Sequence, residues 1–112
     1  CILEFKKHTL SSPVSEQCFT NYYPRPDGRK YKRLALLRDY LASKSNSRIS
    51  FFVLYYPTQT YIEQQWKLEV IEGNAFSLRA TDSFIFELPA DKSDNEYKKV
   101  IEKISQVIAA RS

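Results

Sequence analysis

Glycine is nearly missing from this sequence: its 112 residues hold two, Gly28 and Gly73. A phosphate-cradling loop needs several glycines within one turn, so that kind of nucleotide site is excluded. Cysteine is equally scarce. Cys1 and Cys18 could close at most one bridge, too few to staple a scaffold, and a reduced intracellular protein is the expected setting. The single histidine, His8, follows two lysines and reads as an exposed loop residue. One His and two Cys do not make a zinc site, and Cys18 has no base near it in sequence that would make it a nucleophile. No apolar run approaches the roughly 18 residues that span a bilayer, so no membrane association is expected. The start carries no secretory signal pattern, and the chain holds no internal repeat.

What is present is the composition of one folded domain. An apolar share of 43% with 27% charged residues excludes the disordered and collagen-like classes. The length suits a single core. The net charge of +4 conceals an asymmetry: residues 1–48 carry ten Lys or Arg against four acids, and residues 49–112 seven against nine. A chain that is basic in one half tends to meet a polyanion with that half.

The opening Cys1–Lys7 reads as a strand, with Leu3 and Phe5 on one face and Glu4 and Lys6 on the other. Its abrupt start is that of a cut inside a longer protein. Residues 8–28 read as a long loop, of the kind that is usually functional or mobile. A helix follows over about 29–42, with Asp27 as N-cap and Tyr31, Leu34, Leu37 and Leu41 as its apolar stripe. Arg29, Lys30, Lys32, Arg33 and Arg38 form its outer face. Ile49–Tyr56 is nearly all apolar, the pattern of a strand covered on both sides. Strand, helix and buried strand together predict a parallel βαβ unit. Trp66–Glu72 alternates, and Phe76–Ala80 and Ser83–Leu88 read as two further short strands. Ser93 and Glu96 spell a capping box before a closing helix whose stripe is Tyr97, Val100, Ile101, Ile104, Val107 and Ile108. The expected fold is α/β (α+β): a mixed central sheet, one crossover helix and a C-terminal amphipathic helix.

Two groups of residues carry chemistry. Glu4-Phe5-Lys6 sets a carboxylate and an ammonium two residues apart on one strand face. There the carboxylate can bind Mg²⁺, the Phe5 backbone carbonyl can add a ligand, and the lysine can orient an attacking water. From Arg25 to Arg48 there are eight basic residues against Asp27 and Asp39. Tyr22, Tyr23 and Tyr31 are interleaved with them, and cations beside aromatic faces suit phosphates and unstacked bases. Arg25, Arg29, Lys30, Lys32 and Arg33 are the expected nucleic-acid contacts.

Glu4-Phe-Lys6, the long loop, Asp27-Gly-Arg-Lys-Tyr31 and Phe51-Phe-Val-Leu-Tyr-Tyr-Pro57 together resemble the second half of a PD-(D/E)xK nuclease domain. The resemblance covers residues 2–57 and implies Mg²⁺- or Mn²⁺-dependent hydrolysis of DNA phosphodiesters, as in restriction or repair enzymes. It makes Glu4 a metal-binding acid and Lys6 the catalytic lysine. In that superfamily a further Asp lies upstream of E-x-K. Here three residues precede Glu4, so that acid is expected from an upstream segment, or from a second chain pairing with the open side of strand 2–7. The chain then reads as one domain, the C-terminal part of a longer nuclease-like protein. Pro26-Asp27 spells the family's dipeptide but follows E-x-K, and Asp27 reads as a helix cap. The alternative is a non-catalytic interaction module: residues 61–109 also resemble kinase-associated C-terminal domains and small RNA-binding subunits of the signal recognition particle.

Overall fold

The computed structural model describes residues 1–8, 13–57, 65–89 and 93–111. Four strands form one sheet in sequential order, β1 (Ile2–His8), β2 (Phe51–Pro57), β3 (Gln65–Asn74) and β4 (Ser77–Glu87), with helices α1 (Gly28–Ser45) and α2 (Asp94–Ala110). β1 runs parallel to β2, with Glu4 opposite Val53 and Lys6 opposite Tyr55. The β2–β3 and β3–β4 pairings are antiparallel, the latter with a register shift at Val70/Ile71. This is the expected mixed sheet. The apolar run of β2 sits between β1 and β3, where both of its faces are covered.

Alternation along β2 splits the core in two. Phe51, Val53 and Tyr55 face α1 and pack with Tyr31, Ala35, Ile71 and Leu78. Phe52 and Leu54 face α2 and pack with Leu68, Val70, Val100 and Ile104. Ser93 caps α2, its hydroxyl accepting the Glu96 amide at 3.4 Å, and Asn46 closes α1 in the left-handed conformation (φ 54°), a common helix stop.

Several expectations are corrected. His8 closes β1 instead of opening the loop. Of the expected loop, residues 9–12 lie outside the described residues. The stretch from Pro13 is ordered by two 3₁₀ turns, Val14–Glu16 and Phe19–Asn21, whose Val14, Gln17 and Phe19 are buried. The two short strands near 76–88 are one strand, β4. Leu37 and Leu41 do not enter the core: α1 buries Tyr31 and Ala35, and Leu37 is 45% exposed. Ile101, expected in the α2 stripe, is 50% exposed. In both helices the buried arc is narrower than the apolar arc, because each packs on one sheet face and, among the described residues, no second layer covers its outer side.

Candidate functional site

β1 is the edge strand beside α1. The Ile2 amide donates to the Ser50 carbonyl at 2.8 Å, so the peptide groups of Ile2, Glu4 and Lys6 point to β2. By alternation the Phe5 carbonyl lies on the open edge of the sheet. The side chains of Glu4 and Lys6 project to the α1 face, beneath the first turn of that helix.

There they meet two residues of α1's opening turn. Lys6 Nζ lies 2.5 Å from Asp27 Oδ2, and Lys30 Nζ lies 2.6 Å from Glu4 Oε1. Asp27 stands at the N-cap position, as expected, but makes no side-chain capping bond. Its carboxylate turns to Lys6 instead. The acid that the dipeptide Pro26-Asp27 spells thus reaches the E-x-K strand through space, although it follows that strand in sequence. All four side chains are partly open to solvent. Tyr22 completes the group: its ring centroid lies 4.1 Å from Lys6 Nζ, and its hydroxyl donates to Gln17 Oε1 at 2.6 Å.

Behind this corner a polar row runs into the core. Lys67 and Glu69 of β3 are buried. Lys67 Nζ donates to the carbonyls of Gln17 at 2.5 Å and Ser15 at 3.2 Å, and the Glu69 carboxylate accepts from the Phe19 amide. The 3₁₀ segment is therefore strapped to the sheet by β3. Burial pushes the Glu69 carboxyl up, opposed by Tyr55, Lys67 and the Phe19 amide. Burial likewise raises the Tyr55 and Tyr31 phenols, with the Glu69 carboxylate adding to Tyr55 and the Asp27 and Glu4 carboxylates to Tyr31. That both acids act on Tyr31 fits their place in one corner. The Tyr55 hydroxyl lies beside Glu69, yet Tyr31 Oη, Tyr55 Oη and Glu69 Oε1 lack a well-formed hydrogen bond among the described residues.

The basic face is mixed in its fate. Arg25, Arg29, Lys32 and Arg33 are exposed. Lys30 is also exposed but is engaged by Glu4. Arg38 turns inward, donating to the Gly73 carbonyl at 2.7 Å, and so leaves the expected outer face. The polar row on β3 escaped the sequence reading. Its only signal was Lys67-x-Glu69, facing the same side as Tyr55 on the next strand.

No group of three or more His, Cys, Asp or Glu gathers as a ready-made metal cage among the described residues. The donor set is nonetheless of the hard-oxygen kind that Mg²⁺ accepts, with one or two carboxylates and the remaining positions filled by water and phosphate. Glu4, Asp27 and the Phe5 carbonyl could supply it. No family model, curated protein or solved structure matches this chain.

Proposed function

We propose that this domain binds nucleic-acid backbone at the α1 N-terminus and hydrolyses DNA phosphodiesters there in a Mg²⁺- or Mn²⁺-dependent reaction of the PD-(D/E)xK kind. One observation carries the reading: Asp27, distant in sequence, meets Glu4-x-Lys6 in one solvent-accessible corner and shares a groove with Lys30 and the exposed Arg29 and Arg33. Glu4 and Asp27 would hold the metal with the Phe5 carbonyl, and the metal would supply charge neutralisation at the phosphate and a more acidic bound water. In the structure Lys6 and Lys30 hold the two carboxylates in place through their ion pairs. Where Asp27 served a metal instead, the Lys6 ammonium would be available to donate to a phosphate oxygen. Arg29, Lys32 and Arg33 hold the flanking phosphates, a contact that weakens as salt rises.

The ion pairs also favour a second reading, a non-catalytic nucleic-acid-binding module in which both acids stay neutralised by lysines as a structural lock. A nicking assay on supercoiled plasmid with Mg²⁺ or Mn²⁺ separates the two. Under the catalytic reading, Glu4→Ala, Asp27→Asn and Lys6→Ala each lower the rate by at least about 100-fold, the scale on which single catalytic groups act. Metal-dependent nicking that survives all three substitutions places the chemistry elsewhere. Binding without nicking by the full-length protein, in every metal, selects the module.

A further inference from the structure

The hairpin joining β3 and β4 ends in a bare aromatic ring. Phe76 is 81% exposed, the reverse of what burial energetics favours for a phenylalanine. The turn that presents it is firmly built. Asn74 Oδ1 accepts the amides of both Phe76 (2.9 Å) and Ser77 (3.0 Å). Gly73 stands at φ +105°, where a Cβ would collide with the Ser77 carbonyl. The hairpin tip faces the start of α1 across a cleft of about 330 Å³ lined by Tyr23, Pro24, Gly28, Arg29, Lys32 and Phe76. Its far wall is fixed. The Tyr23 ring stacks on Phe19 with centroids 4.9 Å apart, and its hydroxyl accepts the Leu78 amide at 3.4 Å. Gly28 leaves the floor open, since a Cβ there would touch nothing within 4 Å. Lys32 Nζ stands 5.0 Å from the Phe76 ring centroid, and Arg29 lines the same cleft.

An exposed aromatic face, a cleft of small-ligand size and two cations within one nucleotide's reach form a recognisable combination. Bases stack on aromatic rings with little regard to sequence, while neighbouring cations take the phosphates. We infer that Phe76 is a stacking platform for an unpaired base, held in the cleft against α1 while Lys32 and Arg29 contact that nucleotide's phosphates. The inference rests on the nucleic-acid-binding part of the proposed function and is independent of catalysis. It assigns to the β3–β4 hairpin a role in selecting single-stranded or distorted strands over intact duplex.

The test compares the full chain's affinity, by fluorescence anisotropy at fixed salt, for labelled oligothymidylate and for an abasic strand of equal length. The wild type should bind oligothymidylate more tightly. Phe76→Ala should weaken that binding roughly 5- to 150-fold, the worth of one stacked base, and leave the abasic strand unchanged. Phe76→Trp should retain the preference. Equal loss on both strands, or no loss on either, overturns the stacking role while leaving phosphate binding intact. A wild type that binds neither strand overturns the nucleic-acid reading and this inference with it. Because Phe76 is exposed, Phe76→Ala should keep the wild-type thermal unfolding profile, which confirms that the comparison is between folded proteins.

Discussion

The two faces of the sheet are built on different principles. On the α2 face, Phe52, Leu54, Leu68 and Val70 meet Val100 and Ile104, and the buried Ser50 at its margin is satisfied, donating to the Arg111 carbonyl at the end of α2 at 2.7 Å. On the α1 face β1, β2 and β3 contribute Glu4, Lys6, Tyr55, Lys67 and Glu69, threaded through an aromatic and aliphatic core. A dry face can be stable with few specific contacts, since apolar burial is non-directional. A polar-laced face is stable only when each buried group finds its partner. On the α1 face the Tyr55 hydroxyl and the Glu69 carboxylate face one another, whereas the buried Tyr31 hydroxyl has no hydrogen-bond partner among the described residues. A fold gains nothing in stability from such an orphan, and proteins tend to violate packing rules where they bind or react. The candidate site, the cationic surface and the exposed Phe76 lie on the α1 side or against α1, and the α2 face acts as its support.

The sharpest contrast comes from removing one side chain from the dry face. Ile104 is buried among apolar neighbours, so Ile104→Ala should cost about 2–5 kcal/mol, the transfer and cavity terms together. Urea unfolding measures this. A cost below about 1 kcal/mol would mean that α2 is loosely docked, and the distinction between the faces would lose its basis. The outward Ile101 provides the internal control, since Ile101→Ala should stay within about 0.5 kcal/mol.

How much of this was legible in the sequence follows the same division. The α2 face was readable because its signals are local: the Ser93–Glu96 cap and a 3.6-residue stripe on one helix, and an unbroken apolar run on β2. The parallel pairing of β1 with β2 followed from that run and from the helix between them. The α1 face was not readable, because its order comes from contacts distant in sequence. Lys67 binds carbonyls 50 and 52 residues away, and Asp27 reaches Lys6 across 21. Periodicity carries no information about such partners, so residues 13–27 looked like a loop and Asp27 like a simple cap. The single strand β4 reads as two short ones in the sequence for a related reason. As an outer strand it holds Arg79, Thr81, Asp82 and Ser83 exposed, and those polar residues interrupt the alternation. Of the site, the strand bearing Glu4 and Lys6 and the basic opening of α1 were visible in advance; their convergence on Asp27 and Lys30 was not.

On the polar-laced face the next largest effect should come from Lys67→Met. The substitution keeps most of the apolar stem but removes the donor that holds the Ser15 and Gln17 carbonyls. It also removes the positive charge beside Glu69. Losing buried hydrogen bonds from one side leaves the acceptors to bear the desolvation cost, about 1–3 kcal/mol. The loss should be local as well as global, with faster amide hydrogen exchange at residues 13–23 than in α2. Uniformly faster exchange over the whole chain would show that the strap is not a separate unit.

The finest test of the comparison is the pH dependence that Glu69 imposes, which the dry face cannot contribute. Its folded-state carboxyl is raised above the ordinary value of 4.5, chiefly by burial, so the folded protein holds this proton more tightly than the unfolded chain does. Stability from this group is fully present below pH 4.5, where both states are protonated. It declines as pH rises through the folded-state value, and one proton can tilt stability by no more than about 1.4 kcal/mol per pH unit. Glu69→Gln keeps the shape of the neutral acid and cannot ionise. The variant should therefore lose this decline: relative to wild type it gains stability as pH rises from 4.5 toward neutrality, read as urea midpoints at a series of pH values. Tyr55→Phe removes the hydroxyl that favours the charged carboxyl, so it should extend the decline to higher pH and enlarge its total. If Glu69→Gln and wild type keep a constant difference across that range, the carboxylate is already balanced by Lys67 and the Phe19 amide, and the polar row is as quiet as the face opposite.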